Sequence, residues 1–449
     1  MRALRVERVN RITQILESNK GNKRCFEAQK ILRQNKYEPF TLVEDEHTTF
    51  NAYLTIPLLK QWYNQFFNDQ DMEAIQPFTN NDPTPLDIPI SQEEVETACK
   101  RLNNNRACGK DNIAGEYLKY GGNALHNYYA EMFNNIFSTH QTVPATSHSL
   151  LIALNKPNKP KTPNNTRPIQ LVNSIRKILS NIALQRISRF VEEYVRIEQS
   201  GFRHGRSTAD VLWTYKWLAG TVLKYETTFH IMGIDLSKAF DCINRRALLD
   251  LLRENIDTST YQIMQYLLAD TTIQYLNEKF ETTIGVPQGD ALSPILFIIY
   301  LEMILRYHRN THPDQELSAD YYVTQYADDT DFISTKFADH FWTNLSLPED
   351  LKKYNMIMNA DKTEYTTLNR DTYKNLRTKK LGSLISDCED IKYRISQANS
   401  AFKKMTRLWL QNLHITLTST QCSNRASCYR MCRTCCRKFW QYCKIFEII

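Results

Sequence analysis

Apolar residues fall into a clear helical rhythm just after residue 90. Ser91-Gln92-Glu93-Glu94 has the form of a capping box, and Val95, Ala98 and Leu102 follow at helical spacing. Upstream, residues 1–75 are polar and predict mostly helix; residues 76–89 carry Pro77, Pro83, Pro85 and Pro89 and form a connector and boundary. Phe229-His230-Ile231-Met232-Gly233-Ile234 is a mostly apolar run of strand length that ends at Asp235. Tyr321-Tyr322-Val323 and Asp331-Phe332-Ile333, two short β-prone runs, flank Tyr326-Ala327-Asp328-Asp329, which predicts a tight hairpin with two carboxylates at its tip. The longest apolar run, Ile295 to Leu301, follows Pro294 and predicts a helix under a sheet. Ile391, Ile395, Ala398, Phe402, Met405 and Trp409 alternate steps of four and three, one continuous apolar stripe of a packed helix. Lys392, Arg394, Lys403, Lys404 and Arg407 lie off that stripe.

An acidic hairpin tip alone is ordinary and reads first as a solvated loop. The companion run changes the picture. If its strand places Asp235 beside Asp328 and Asp329, the three carboxylates form a divalent-metal site. Two metal ions there can activate an attacking hydroxyl and stabilise a departing pyrophosphate. Mg²⁺ suits the task because it prefers carboxylate and phosphate oxygens and needs few protein ligands.

Further segments join these in order. They are Asn103-Asn104-Asn105-Arg106-Ala107-Cys108-Gly109-Lys110-Asp111; Leu154-Asn155-Lys156-Pro157 with Arg167-Pro168-Ile169-Gln170-Leu171; and Gln199-Ser200-Gly201-Phe202-Arg203-His204-Gly205-Arg206-Ser207-Thr208. After Asp235 to Phe240 come Gly285-Val286-Pro287-Gln288-Gly289-Asp290-Ala291-Leu292-Ser293-Pro294, the acidic hairpin, Asn359-Ala360-Asp361-Lys362-Thr363 and Leu381-Gly382-Ser383. Together these segments, over roughly residues 95–410, resemble the reverse transcriptase of non-LTR (LINE-type) retrotransposons. The resemblance implies a right-hand polymerase with an α/β (α+β) palm. Its expected parts are an N-terminal helical extension and linker at 1–90, fingers at 91–228, palm at 229–385, thumb at 386–420 and a basic Cys-rich tail at 421–449.

The resemblance also implies roles. Asp235, Asp328 and Asp329 are the catalytic metal ligands, with Asp235 and Asp328 principal, for two Mg²⁺ ions that Mn²⁺ can replace. Phe240 sits under the incoming sugar and excludes a 2′-hydroxyl, Arg167 neutralises triphosphate oxygens, and Gln288 contacts the nascent pair. Lys362 matches the general acid for pyrophosphate departure. Arg203 and Arg206 would contact template phosphates, and Lys403 and Lys404 the duplex backbone. The implied partners are an RNA template, a DNA primer or target and deoxynucleoside triphosphates, with nucleus and cytoplasm as the expected location. No endonuclease or RNase H segment is recognisable, so the chain reads as the polymerase portion of an element or a truncated copy. The rival readings are an inactive relic kept as a nucleic-acid-binding protein and an RNA-templated RNA polymerase; Phe240 argues against the second.

Composition fits that picture. The chain has 449 residues, 42% hydrophobic and 23% charged, enough for a large core and more than one domain. Glycine is scarce, and most of the 12 glycines lie in or beside the segments above, where open backbone geometry or close approach is needed. Net charge is +7, yet residues 351–449 hold 19 Lys+Arg against 7 Asp+Glu, so the C-terminal quarter is the electropositive part and suits a polyanionic partner. The charged N-terminus does not have the form of a secretory signal, and the longest apolar run is too short to span a bilayer, so no membrane partner is expected. The eleven cysteines then predict reduced thiols in an intracellular protein. Six of them lie in the tail. Cys428, Cys432 and Cys435 have a spacing that Zn²⁺ could use, with Cys443 or His414 as fourth ligand, but the adjacent Cys435-Cys436 and the lack of a second ordered pair argue against zinc.

Overall fold

The computed structural model describes residues 43–45, 48–49, 52–68, 75–78, 85–156, 162–269, 271–275, 278–312 and 321–400. The chain divides into two compact units, residues 1–208 with 232–365, and residues 209–231 with 366–449.

In the first unit, helix α1 (Ala52–Phe67) carries Leu59, Tyr63 and Phe67 on one face, and all three are buried. Helix α2 (Gln92–Lys100) starts in the expected capping box, with Glu94 N–H donating to Ser91 Oγ and Ser91 N–H to the Glu94 carboxylate. Its Val95, Ala98 and Cys99 are buried in the core shared with helix α3 (Gly122–Thr139), which contributes Phe133, Ile136 and Phe137. Strands β1 (His148–Asn155) and β2 (Thr166–Val172) pair antiparallel, with Leu154 opposite Arg167. Helix α4 (Ser174–Tyr194) is buried on most sides, Arg176, Ser180 and Asn181 included, which marks a central core helix.

Helix α5 (Thr208–Tyr225) and strand β3 (Phe229–Ile234) follow. β3 is buried almost throughout, as a central strand requires. Helices α6 (Arg245–Asn255) and α7 (Thr258–Leu268) lead to strands β4 (Thr271–Tyr275) and β5 (Glu278–Thr282). These two join β1 and β2 in a sheet ordered β2-β1-β4-β5, in which β1 and β4 run parallel. α1 covers that sheet: its three buried residues meet Leu151, Ile273, Tyr275 and Phe280. Residues 271–282, which fall in the expected palm range, pair with strands from 148–172, and α1 packs on the same sheet.

Helix α8 (Ser293–Thr311) carries Pro294 in its first turn and buries Ile295 through Glu302, as the apolar run predicts. Strands β6 (Tyr322–Tyr326) and β7 (Asp329–Ser334) form the expected hairpin, and the unit's second sheet is ordered β3-β7-β6. Helix α9 (Phe337–Lys353) packs against α8. Among the described residues no helix is long and apolar enough to cross a membrane.

The second unit contains α5 from residue 209 on, residues 229–231 and the end of strand β8 (Glu364–Leu368). Lys216 of α5 donates to Ile385 O at 3.2 Å and pairs with Asp387. Residues 387–400 are helical, as the stripe predicts, but Ile391 and Ile395 are 58% and 55% exposed. The packed residues lie just before this helix, at Ser383 to Ile385. Spacing shows which residues share a face; it does not show that anything covers it. Phe402, Met405, Trp409, Lys403, Lys404, Arg407 and the Cys-rich tail lie outside the described residues.

Candidate active site

Tyr326 pairs with Asp329 across the hairpin, which leaves Ala327 and Asp328 as a two-residue turn. Ala327 takes φ +58°, a left-handed conformation that costs an L-residue about 1–2 kcal/mol. The surroundings hold it there. The Gln199 side-chain amide grips the turn from both sides: Ala327 N–H donates to Gln199 Oε1 at 2.9 Å, and Gln199 Nε2 donates to Ala327 O at 3.1 Å. Gly201 N–H donates to the same Oε1 at 2.8 Å. A Cβ on Gly201 would stand 2.3 Å from Ala327 N, so glycine is required for this approach. The sequence marks Gln199 and Gly201 only as members of a motif; their task, bracing the acidic turn, is visible only when residues 128 positions apart meet.

Asp235 follows β3, and β3 lies beside β7, so the two strands bring Asp235 and the acidic turn to one end of the sheet. The backbone at Asp235 is fixed by Asn359 N–H donating to its carbonyl at 2.8 Å. Lys362, three residues on, donates Nζ to Asp235 Oδ2 at 2.6 Å. Burial pushes the Asp328 carboxyl up from the ordinary carboxylate range; its own backbone amide opposes that, the Asp235 charge adds to it and Lys362 offsets part. Asp329 is exposed at the start of β7. Asp235, Asp328 and Lys362 are therefore brought together, with Asp329 adjacent. Like-charged hard oxygens held partly out of water suit Mg²⁺ better than an ion that seeks thiolate or imidazole.

Phe240 is half-buried, its ring 4.8 Å from that of Phe297 on α8. The next residue, Asp241, is buried, and Gln288 Nε2 donates to both its carboxylate oxygens, at 2.8 and 2.7 Å. Burial raises the Asp241 carboxyl from 3.8 to about 7, with the Gln288 amide and Lys238 opposing. Two glycines let the loop holding Gln288 lie close to its neighbours. Gly285 has φ +74° with Asp241 O 2.5 Å from where a Cβ would be, and Gly289 has φ +135° with Gln170 O at 2.4 Å. Buried Arg245 ties the loop down by donating to the carbonyls of Thr282, at 2.9 Å, Ile284, at 3.0 Å, and Gly285, at 2.6 Å. From α1, Trp62 and Phe66 reach the same region, with Lys238 Nζ 4.5 and 4.2 Å from their ring centres.

The arginines divide. Arg167 is exposed on β2, and no described contact joins it to the carboxylates. Arg203 is turned inward: its guanidinium pairs with Glu192 at 2.6 Å and donates to Arg196 O at 2.7 Å, with its side chain only 4% exposed. That placement makes it an anchor for the Gly201–Gly205 segment, not a surface phosphate ligand. Arg206 is half-buried in the turn after it, its N–H donating to Arg203 O at 3.3 Å.

Asp235, just after β3, and Asp328, on a turn braced from a distant loop, are carboxylates at one end of a sheet. The reverse transcriptase (RNA-dependent DNA polymerase) family model matches residues 155–393, and the chain belongs to that family. It is 25% identical over 230 residues to the probable RNA-directed DNA polymerase from transposon BS of Drosophila melanogaster, covering 48% of this chain and 25% of that protein. It is 24% identical over 305 residues to the RNA-directed DNA polymerase from mobile element jockey of the same fly, covering 64% and 33%. A Pol polyprotein from the type-1 retrotransposable element R2 of Popillia japonica is 24% identical over 224 residues, covering 48% and 30%. The chain thus spans a quarter to a third of the length of these relatives. The family generally uses divalent metals such as Mg²⁺.

Proposed function

We propose that this chain is the polymerase portion of a non-LTR retrotransposon and extends a DNA 3′ end on an RNA template. The observation that carries this reading is the placement of Asp235 and the partly buried Asp328 at one end of the sheet, with the Asp328 carboxyl pushed up by burial and then by the Asp235 charge. Carboxylates in that position are stabilised by cations, and a polymerase supplies them. The relatives named as RNA-directed DNA polymerases support the same reading.

Asp235 and Asp328 would hold two Mg²⁺ ions, and Asp329 would tune the charge beside them. Bound there, the ions lower the pKa of the primer hydroxyl and stabilise the negative charge of the leaving pyrophosphate. The 3′ hydroxyl gives its proton to water, and its oxygen forms a bond to the α-phosphorus as the α–β phosphoanhydride bond breaks. Lys362 supplies a proton to the departing pyrophosphate, after its ammonium releases Asp235. Phe240, backed by Phe297, holds a wall under the sugar that leaves no room for a 2′-hydroxyl. Gln288 is oriented toward the nascent pair by Asp241, and Arg167 meets the triphosphate. Arg206, Lys403 and Lys404 neutralise phosphates of the template and primer, while Arg203 positions the loop that carries Arg206. Residues 91–228, 229–385 and 386–420 are the proposed fingers, palm and thumb, with β4 and β5 of the palm range pairing onto the strands of the fingers. Primer extension on RNA with deoxynucleotides, compared between wild type and Asp328→Asn, tests the proposal.

A further inference from the structure

His308 and His312 stand four residues apart on α8 and its C-terminal end, so both imidazoles leave one helix face. Asp350 meets them from α9. Among the described residues, these three each place a ligand atom within 4.8 Å of the others. His308 Nδ1 lies 2.8 Å from Asp350 Oδ2, and His312 Nε2 lies 3.0 Å from the same oxygen. The second carboxylate oxygen accepts from Lys353 Nζ at 2.9 Å. His308 and Asp350 are buried, whereas the His312 side chain is 32% exposed, so the cluster opens to solvent on one side. None of these residues belongs to the carboxylate site at Asp235 and Asp328.

We propose that His308, His312 and Asp350 bind one Zn²⁺ ion that clips α8 to α9. Two imidazole nitrogens and one carboxylate oxygen, with a fourth position open to water, are a recurring three-ligand set for zinc. Imidazole donors select zinc-class ions over Mg²⁺. The geometry is nearly formed. A tetrahedral ion with bonds of about 2.0–2.1 Å separates its ligand atoms by roughly 3.3 Å. The present nitrogen–oxygen separations of 2.8 and 3.0 Å need widen only by a few tenths of an ångström. The two imidazole nitrogens lie within 4.8 Å of each other at one end of one helix, so side-chain rotation brings them onto a common ion. Lys353 holds the outer carboxylate oxygen and leaves Oδ2 for the metal, the kind of outer support that orients a ligand.

The test uses the full chain, stripped of metal by a chelator and titrated with Zn²⁺ against a chromophoric chelator. A parallel titration with Co²⁺ is followed by visible absorption. Wild type is expected to bind one equivalent more than the His308→Gln/His312→Gln double variant; the catalytic carboxylates and the Cys-rich tail are unchanged in both and cancel. The single variant His312→Gln, altered at the most exposed ligand, should weaken this class of site by at least about tenfold. Zn²⁺ should raise the melting temperature of wild type, and that rise should be lost in His312→Gln. Should the double variant fail to fold, the comparison of wild type with His312→Gln decides alone. Equal stoichiometry and affinity in wild type and His312→Gln would overturn the proposal. So would a Co²⁺ spectrum carrying only thiolate charge transfer, which would assign all the binding to cysteine.

Discussion

Gly201 shows how one residue far from the chemistry can set its geometry. It is a glycine because the acidic turn leaves no space for a side-chain carbon, with Ala327 N 2.3 Å from the Cβ position and Ala327 Cα at 3.0 Å. Gly201→Ala should therefore push the turn away from Asp235. Overpacking of this kind typically costs about 1–3 kcal/mol of stability. The expected kinetic signature is a drop in kcat of at least about tenfold, since misplacement by an ångström can cost more, with nucleotide KM changed little. A variant with wild-type kcat would remove the bracing role. Asp241 gives a pH signature. Its carboxyl titrates at about 7 in the folded protein against an ordinary 3.8. Between those values the folded chain keeps a proton that the unfolded chain has lost. The stability it contributes is whole below pH ~4 and is lost as pH rises through about 7, each tenfold difference in proton affinity between the two states being worth about 1.4 kcal/mol. Asp241→Asn should melt above wild type at pH 8 and close to it at pH 4, by thermal denaturation at each pH. A constant gap across that range would show that ionisation of Asp241 is not what limits stability.

At the scale of elements, the pattern of apolar positions foretells the local pieces well. The capping box at Ser91, the run after Pro294 and the hairpin around Asp328 all appear where alternation and spacing put them. These are decided by neighbours in sequence. What spacing does not show is which distant pieces meet. Residues 271–282 fall in the expected palm range, yet β4 pairs with β1, which lies more than a hundred residues upstream. Ile391 and Ile395 share a helical face that nothing described covers. Arg203 reads as a phosphate ligand because arginine in a glycine-rich segment usually lies outside; its pairing with Glu192 of α4 turns it in. The Phe240–Phe297 contact ties a site residue to α8 and motivates a prediction about sugar choice. Phe240→Ala should raise ribonucleotide incorporation relative to deoxynucleotide by about tenfold or more, because a removed wall no longer rejects the extra oxygen. Competition assays with both nucleotide types on one template read this ratio, and an unchanged ratio would remove the ring from sugar selection.

Across the whole molecule, every residue that forms the carboxylate site lies in the first unit, while the described part of the second carries α5 and the helix from 387 on. The electropositive C-terminal quarter, 19 basic against 7 acidic residues from 351 on, suits phosphate contact, which positions a duplex without reading its sequence. The family, by contrast, is legible in order and spacing alone, because each of its segments is short and contiguous in the chain. The central claim is that Asp235 and Asp328 act as one metal-binding pair in templated DNA synthesis. The most direct measurement is single-turnover extension of a DNA primer on an RNA template, with Mg²⁺ varied, for wild type, Asp235→Asn and Asp328→Asn, alongside primer–template binding. Wild type should extend only with the divalent ion present; each variant should lose extension by several orders of magnitude while binding the primer–template nearly as well. Extension at the wild-type rate by either variant would contradict the claim.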